Sequence, residues 1–215
     1  MERQLAIYMA GVGGERPAHP VGYEALRERA RQVLTAEAWA YVAGGAGLED
    51  TMRENREAFR RWRIVPRHLR GVGARDLRVE LLGRALPAPV LLAPVGVQGI
   101  LHPEGELAPA RAAAALGLPV VLSTVSSRPL EAVAEAAGDG PRWFQLYWPR
   151  DPELAASFVS RAGAAGYSAI VVTLDLPLLA WRPRDIENAY LPFLVGEGLA
   201  NYLTDPVFLR GLAAS

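Results

Sequence analysis

From residue 87 onward the chain alternates apolar runs with stretches of helix formers. Four runs rich in β-branched residues lie at residues 90–94, 120–124, 143–147 and 170–175. Each is apolar along its whole length rather than every second residue, the pattern of a strand covered on both faces. Helical segments fall between them at residues 106–116, 130–137 and 152–165. The strand starts are 30, 23 and 27 residues apart, the spacing of βα units in a parallel sheet. Polar or special residues gather where each run ends: Pro94, Val95 and Gly96, then Ser123, then Gln145 and Tyr147, then Thr173 and Asp175. Those positions are the carboxyl ends of the strands, where a parallel α/β barrel builds its active site.

The first 86 residues read differently. Residues 1–22 are broken by Gly and Pro and are expected to form a flexible arm. Helices are predicted over residues 23–33, after a Thr35 N-cap up to the Gly44-Gly-Ala-Gly cluster, and over residues 51–62. Residues 79–86, with Gly83-Arg84 at the centre, read as a hairpin. The predicted organisation is therefore an arm (1–22), helices and a hairpin (23–86) and four βα units (87–180), followed by residues 181–215, which the family resemblance given below implies to be a truncated lid loop. Eight βα units of about 27 residues need roughly 215 residues. Only 126 follow Pro89, so the expectation is α/β, either a smaller open sheet or half of a barrel.

Composition removes several kinds of chemistry. Twenty-three acids balance 23 bases, which excludes the positive footprint of a nucleic-acid or polybasic membrane binder. There is no cysteine, hence no disulfide, zinc-thiolate site or thiol nucleophile, and a cytoplasmic location is the natural expectation. No apolar run reaches the ~18 residues of a membrane span, and the start lacks a signal-peptide pattern. Every basic residue is arginine, so a Schiff-base or P-loop lysine is absent. The histidines are His19, His68 and His102. The run His102-Pro-Glu-Gly-Glu suits helix capping by Glu104 and Glu106 better than a metal. Tyr147 and Asp175 would end neighbouring strands, either as a polarised phenol or as a buried hydrogen bond.

Seven pieces in order resemble the FMN-dependent 2-hydroxy acid oxidising family, which includes glycolate oxidase, lactate oxidase and lactate monooxygenase. They are Ala40-Tyr-Val-Ala-Gly-Gly-Ala, Glu54-Asn-Arg-Glu-Ala-Phe, Leu91-Leu-Ala-Pro-Val-Gly, Leu122-Ser-Thr, Phe144-Gln-Leu-Tyr, Val172-Thr-Leu-Asp-Leu-Pro and Trp181-Arg-Pro-Arg-Asp. The resemblance implies a (β/α)8 TIM barrel, of which the N-terminal helices and about four βα units are present, with FMN as cofactor. It implies that backbone at Pro94, Val95 and Gly96 lies against the flavin ring. Ser123, Gln145 and Thr173 would hydrogen-bond the ring edge that carries its carbonyls. Neutral side chains of this kind meet alternating donors and acceptors without fixing charge. Tyr41 and Arg182 would bind the substrate carboxylate, the guanidinium through a bidentate fork. Tyr147, oriented by Asp175, would contact the substrate hydroxyl. Each residue also has a structural reading: Ser123 and Thr173 as strand ends, Tyr41 as core, Arg182 as a loop cap.

The segment at residues 181–208 looks most like the lactate 2-monooxygenase branch, which implies L-lactate and O2 as reactants and a lid over the site. The resemblance also implies a histidine base in a Ser-Asn-His-Gly-Gly run and phosphate-binding loops, and this sequence contains neither. The chain is accordingly expected to be the amino-terminal half, inactive alone and a homo-oligomer. The competing expectation is a non-catalytic half-barrel that assembles with itself or with a separate second half.

Overall fold

The computed structural model describes residues 2–71, 73–176 and 178–214. Met1 and Ser215, the outer ends of the predicted arm and covering loop, lie outside the described residues. So do Val72 and Pro177, the last residue of the run that starts at Val172. The helices are α1 (Glu2–Val12), α2 (Tyr23–Val33), α3 (Ala36–Ala43), α4 (Asp50–Ala58), α5 (Leu107–Ala115), α6 (Leu130–Ala137) and α7 (Pro152–Ala164), then α8 (Pro183–Glu187), α9 (Ala200–Leu203) and α10 (Pro206–Ala213). Strands β1 (Val79–Leu81) and β2 (Arg84–Leu86) pair antiparallel as the predicted hairpin. Strands β3 (Val120–Leu122), β4 (Arg142–Tyr147) and β5 (Ile170–Thr173) form a parallel sheet in that order. Its register sets Leu122 beside Phe144, Phe144 beside Ile170 and Tyr147 beside Thr173.

The parallel order follows from the connections. α6 and α7 each carry the chain back along one face of the sheet, and their apolar stripes bury against it. Leu122, Phe144 and Leu146 from the strands meet Leu130 and Val133 of α6 and Leu154, Phe158 and Ala162 of α7. Phe144 meets Phe158 edge-on at 6.2 Å and Tyr167 at 6.0 Å. The buried Tyr167 hydroxyl donates to the Leu130 carbonyl at 2.8 Å, so its one polar atom is satisfied. Burial pushes that phenol well above its usual pKa.

Four expectations change. Residues 90–94 do not extend into a full strand: Leu92 makes a single parallel bridge to Val120, donating to Pro119 O and accepting from Val121 N, both at 2.9 Å. Pro87, Pro89 and Pro94 surround it, and proline has no N–H to continue a ladder. Coverage on both faces holds at β3 but not at β5, where Val172 is 43% exposed and Leu174 beyond it 85%. The arm contains a helix, α1, because residues 2–10 hold no Gly or Pro and the breakers begin at Gly11. Finally, residues 181–214 are no loop.

That last segment is pinned by Asp205. This fully buried carboxylate caps α10 by accepting from Val207 N at 2.8 Å and Phe208 N at 3.3 Å. It also accepts from Ser157 Oγ at 2.7 Å and Arg161 Nη1 at 3.0 Å on α7. Burial opposes its charge, but the bonds from Ser157 and Arg161 prevail and hold the carboxyl below the ordinary aspartate range. Tyr202 packs on Phe158 and Phe208 on Tyr202, at 5.1 and 5.4 Å. No helix among the described residues is long and apolar enough to cross a membrane.

Candidate functional site

The carboxyl ends of β3, β4 and β5 bring Ser123, Gln145 and Thr173 onto adjacent strands. Ser123 is buried, and its Oγ accepts from Val125 N at 3.2 Å while keeping its own proton. Gln145 donates from Nε2 to Thr173 Oγ1 at 2.7 Å. Its Oε1 is buried with no hydrogen-bond partner among the described residues. Leaving a buried acceptor unmade costs about 1–3 kcal/mol, and such exceptions call for an explanation. The set thus offers a hydroxyl, a free amide oxygen and a second hydroxyl. A flavin's pyrimidine edge presents carbonyl, N–H and carbonyl, which needs donor, acceptor and donor. The residues present fit that group.

Gly96 is where the chain crosses these ends. An added Cβ there would sit 2.6 Å from Val125 Cγ2 and 2.9 Å from Val125 O, so only glycine lets the backbone approach. Val97 follows at φ +48, an uncommon conformation for a β-branched residue, held by its N–H donating to Val125 O at 2.9 Å. Pro94 is half-buried and Val95 exposed, and the Val95 carbonyl accepts from Gln98 Nε2 at 3.0 Å.

A second group forms from α3 and the start of α8. The Arg182 guanidinium stacks over the Tyr41 ring at 4.9 Å and its Nη2 donates to the Tyr41 carbonyl. Its Nε donates to Asp185 Oδ2 at 2.5 Å. Tyr41 and Arg182, far apart in sequence, therefore meet as expected. The expected free fork does not: one edge of the guanidinium is taken by Asp185 and Tyr41, and the Nη1 side remains. Burial raises the Tyr41 hydroxyl above its usual pKa, while Arg182 pulls against that rise. Arg184 Nη2 donates to Glu49 Oε2 at 2.6 Å, and Gly47 N donates to Trp181 O at 2.9 Å, so the turn between α3 and α4 carries this group.

Tyr147 and Asp175 are not joined. No hydrogen bond links the half-buried Tyr147 hydroxyl to Asp175 among the described residues, because β5 ends at Thr173 and Asp175 runs out into solvent. The Tyr147 backbone N–H donates to Thr124 Oγ1 at 2.9 Å. Glu106 does not cap α5 either. Its buried Oε1 accepts from Gln98 N at 3.1 Å and Ser127 N at 3.0 Å, tying two strand-end loops together. His102 Nδ1 accepts from Glu104 N at 3.2 Å, a turn contact. Three residues at this face were missed from sequence: Thr124, Asp185 and Asn201. Asp185 stands three residues after Arg182 on one helical turn, a spacing that signals an ion pair. Asn201 left only the signal of a short amide inside an otherwise apolar helix.

The chain belongs to the FMN-dependent dehydrogenase family, whose model matches residues 30–213. The cofactor of that family is FMN. The L-lactate oxidase of Lysinibacillus sphaericus is 44% identical over 193 residues, covering 90% of this chain and 50% of that protein. An FMN-dependent alpha-hydroxy acid dehydrogenase of Penicillium citrinum is 42% identical over 206 residues, covering 95% and 51%. A crystal structure of mandelate oxidase with benzoyl-formic acid superposes with a TM-score of 0.76 at 41% identity, covering 81% of this chain and 52% of that one. The chain spans about half the length of the curated relatives it matches.

Proposed function

We propose that this chain supplies the flavin-edge and carboxylate-binding side of an FMN-dependent oxidation of a small 2-hydroxy acid, L-lactate first among them. The observation that carries the reading is the orphaned Gln145 Oε1 on the middle strand, with Ser123 and Thr173 at the ends of the strands on either side. When bound, FMN accepts the two electrons that leave the hydroxyl-bearing carbon. Ser123 and Thr173 donate to the two ring carbonyls and Gln145 Oε1 accepts from the ring N–H between them. Backbone at Pro94, Val95 and Gly96 packs against the ring. Arg182, through its Nη1 side, and the Tyr41 hydroxyl take the substrate carboxylate, and Tyr147 takes the substrate hydroxyl.

The parallel β3–β5 sheet with its Leu92 bridge supports reading the fold as the first four βα units of a (β/α)8 barrel. O2 is the proposed electron acceptor. Simple oxidation gives pyruvate and hydrogen peroxide; the monooxygenase ending gives acetate, CO2 and water from the same lactate and O2. The monooxygenase ending draws its support from residues 198–201, where Gly198 packs on Val97 and Asn201 binds the Thr124 carbonyl, a covering segment that suits retention of a product. His102 is not read as the proton acceptor, since its Nδ1 accepts from the Glu104 amide in a turn contact.

Anaerobic addition of L-lactate or pyruvate to the FMN-saturated chain, followed by flavin absorbance, tests this reading. The expected result is a saturable spectral shift, weakened in Arg182→Ala, without bleaching at an enzyme-like rate. No shift at all overturns the substrate assignment, and fast bleaching overturns the account of the missing base.

A further inference from the structure

We infer that Asn201 is a positioning residue for the flavin edge, an inference that rests on the flavin reading above. Asn201 lies in α9 and is fully buried. Its side-chain amide makes bonds in both directions. Nδ2 donates to the Ser123 carbonyl at 3.3 Å and the Thr124 carbonyl at 2.9 Å. Oδ1 accepts from the Leu130 N–H at 2.8 Å, at the start of α6.

These bonds fall where the sheet stops helping. The regular pairing of β3 with β4 ends at Leu122 beside Phe144, so Ser123 and Thr124 lie beyond the ladder. Asn201 stands in for the missing strand partner. Thr124 then passes the constraint onward, since its fully buried Oγ1 donates to the Gln145 carbonyl at 2.6 Å and accepts from Tyr147 N at 2.9 Å. One amide thereby fixes the backbone of Ser123 directly, and that of Gln145 and Tyr147 through Thr124.

Asn201 is itself held from outside. Its carbonyl accepts from Arg161 Nη1 at 2.8 Å, and Arg161 also binds Asp205 and Glu131. A buried amide is costly unless satisfied, and here donor and acceptor are both used. Aspartate keeps the acceptor but loses the two donated bonds to the Ser123 and Thr124 carbonyls; alanine loses all three.

The test compares Asn201→Asp and Asn201→Ala with Tyr167→Phe, which removes a buried hydrogen bond to the carbonyl of the same Leu130 without touching the strand ends. FMN affinity is read by flavin fluorescence, exchange of the Tyr147 amide by NMR, and melting temperature alongside. Both Asn201 variants are expected to weaken FMN by about tenfold, the scale of one buried hydrogen bond left unmade, and to speed exchange at Tyr147. Tyr167→Phe is expected to lower the melting temperature yet keep FMN affinity within about twofold. Thr124→Val, which removes the hydroxyl relay, gives the same FMN loss and serves if the Asn201 variants do not fold. If affinity simply tracks melting temperature across all variants, Asn201 is structural only and the inference falls. If the unaltered chain binds FMN and Asn201→Asp binds it equally, the inference falls and the flavin reading stands. If the unaltered chain takes up no FMN, the flavin reading falls and the inference with it.

Discussion

Gln145 and Thr173 share one hydrogen bond across neighbouring parallel strands, Nε2 to Oγ1 at 2.7 Å, and the pair leaves the side-chain oxygen Gln145 Oε1 buried and unmatched among the described residues. Replacing both members by apolar residues of similar shape removes the bond and the orphan together, which is close to neutral for stability. The Gln145→Leu, Thr173→Val double variant is therefore expected to unfold in urea, without FMN, within about 1 kcal/mol of the unaltered chain. A loss of several kcal/mol shows that the pair is kept for stability instead.

The Arg161–Asp205 pair links α7 to the cap of α10, with Asp205 fully buried. Breaking a buried pair by removing one partner costs about 3–5 kcal/mol, so Asp205→Ala is expected to destabilise on that scale. The pH dependence has a definite sign. The Asp205 pKa is lowered from 3.8 on folding, so its contribution is complete above that value and disappears as pH falls through the lower folded value. In Asp205→Ala the acid-side loss of stability below about pH 4 is expected to be shallower; an unchanged acid profile contradicts the assignment.

Arg182 opposes the rise that burial imposes on the Tyr41 hydroxyl. Removing the guanidinium in Arg182→Met is expected to raise the Tyr41 pKa further, visible as a later phenolate step in an ultraviolet pH titration. A step that moves to lower pH contradicts the stacked geometry.

Gly198 sits at φ +75, and an added Cβ would lie 2.4 Å from Val97 Cγ1 and 2.9 Å from Phe193 Cε1. Gly198→Ala combines overpacking with a left-handed backbone and is expected to cost at least about 2 kcal/mol. Thermal melting within a degree of the unaltered chain contradicts that packing.

Beyond β5, Leu174, Leu176, Leu178, Leu179 and Trp181 are all exposed. Exposed large apolar side chains, with β5 at the sheet edge among the described residues, favour association. Sedimentation velocity is expected to show oligomers, reduced in Leu174→Glu; a compact monomer at all concentrations contradicts this.

What the sequence revealed depended on local signals. α6 is predicted at its observed bounds, where Pro129 and Gly138 flank it in the structure, and Thr35 is read as a cap and does accept from Ala38 N. β4 and β5 are legible as apolar runs, and so are the strand-end residues Ser123, Gln145 and Thr173. The truncated first strand was hidden because apolar character outweighed the prolines beside it. The helices after Trp181 span only four to eight residues, too few for periodicity to register. The Asp205-Pro206 cap was a local signal left unread. Asn201 and the Arg182–Tyr41 contact depend on tertiary contacts between distant segments, which no local pattern carries, whereas Asp185 stands within one helical turn of Arg182.

The claim that the strand ends hold a flavin edge is tested most directly by titrating FMN into the unaltered chain and into Gln145→Leu, following the flavin spectrum. Saturable binding with a shifted visible band is expected in the unaltered chain. Gln145→Leu is expected to bind at least about tenfold more weakly, the scale of one buried acceptor lost. No saturable binding by the unaltered chain, or equal binding by the variant, contradicts the claim.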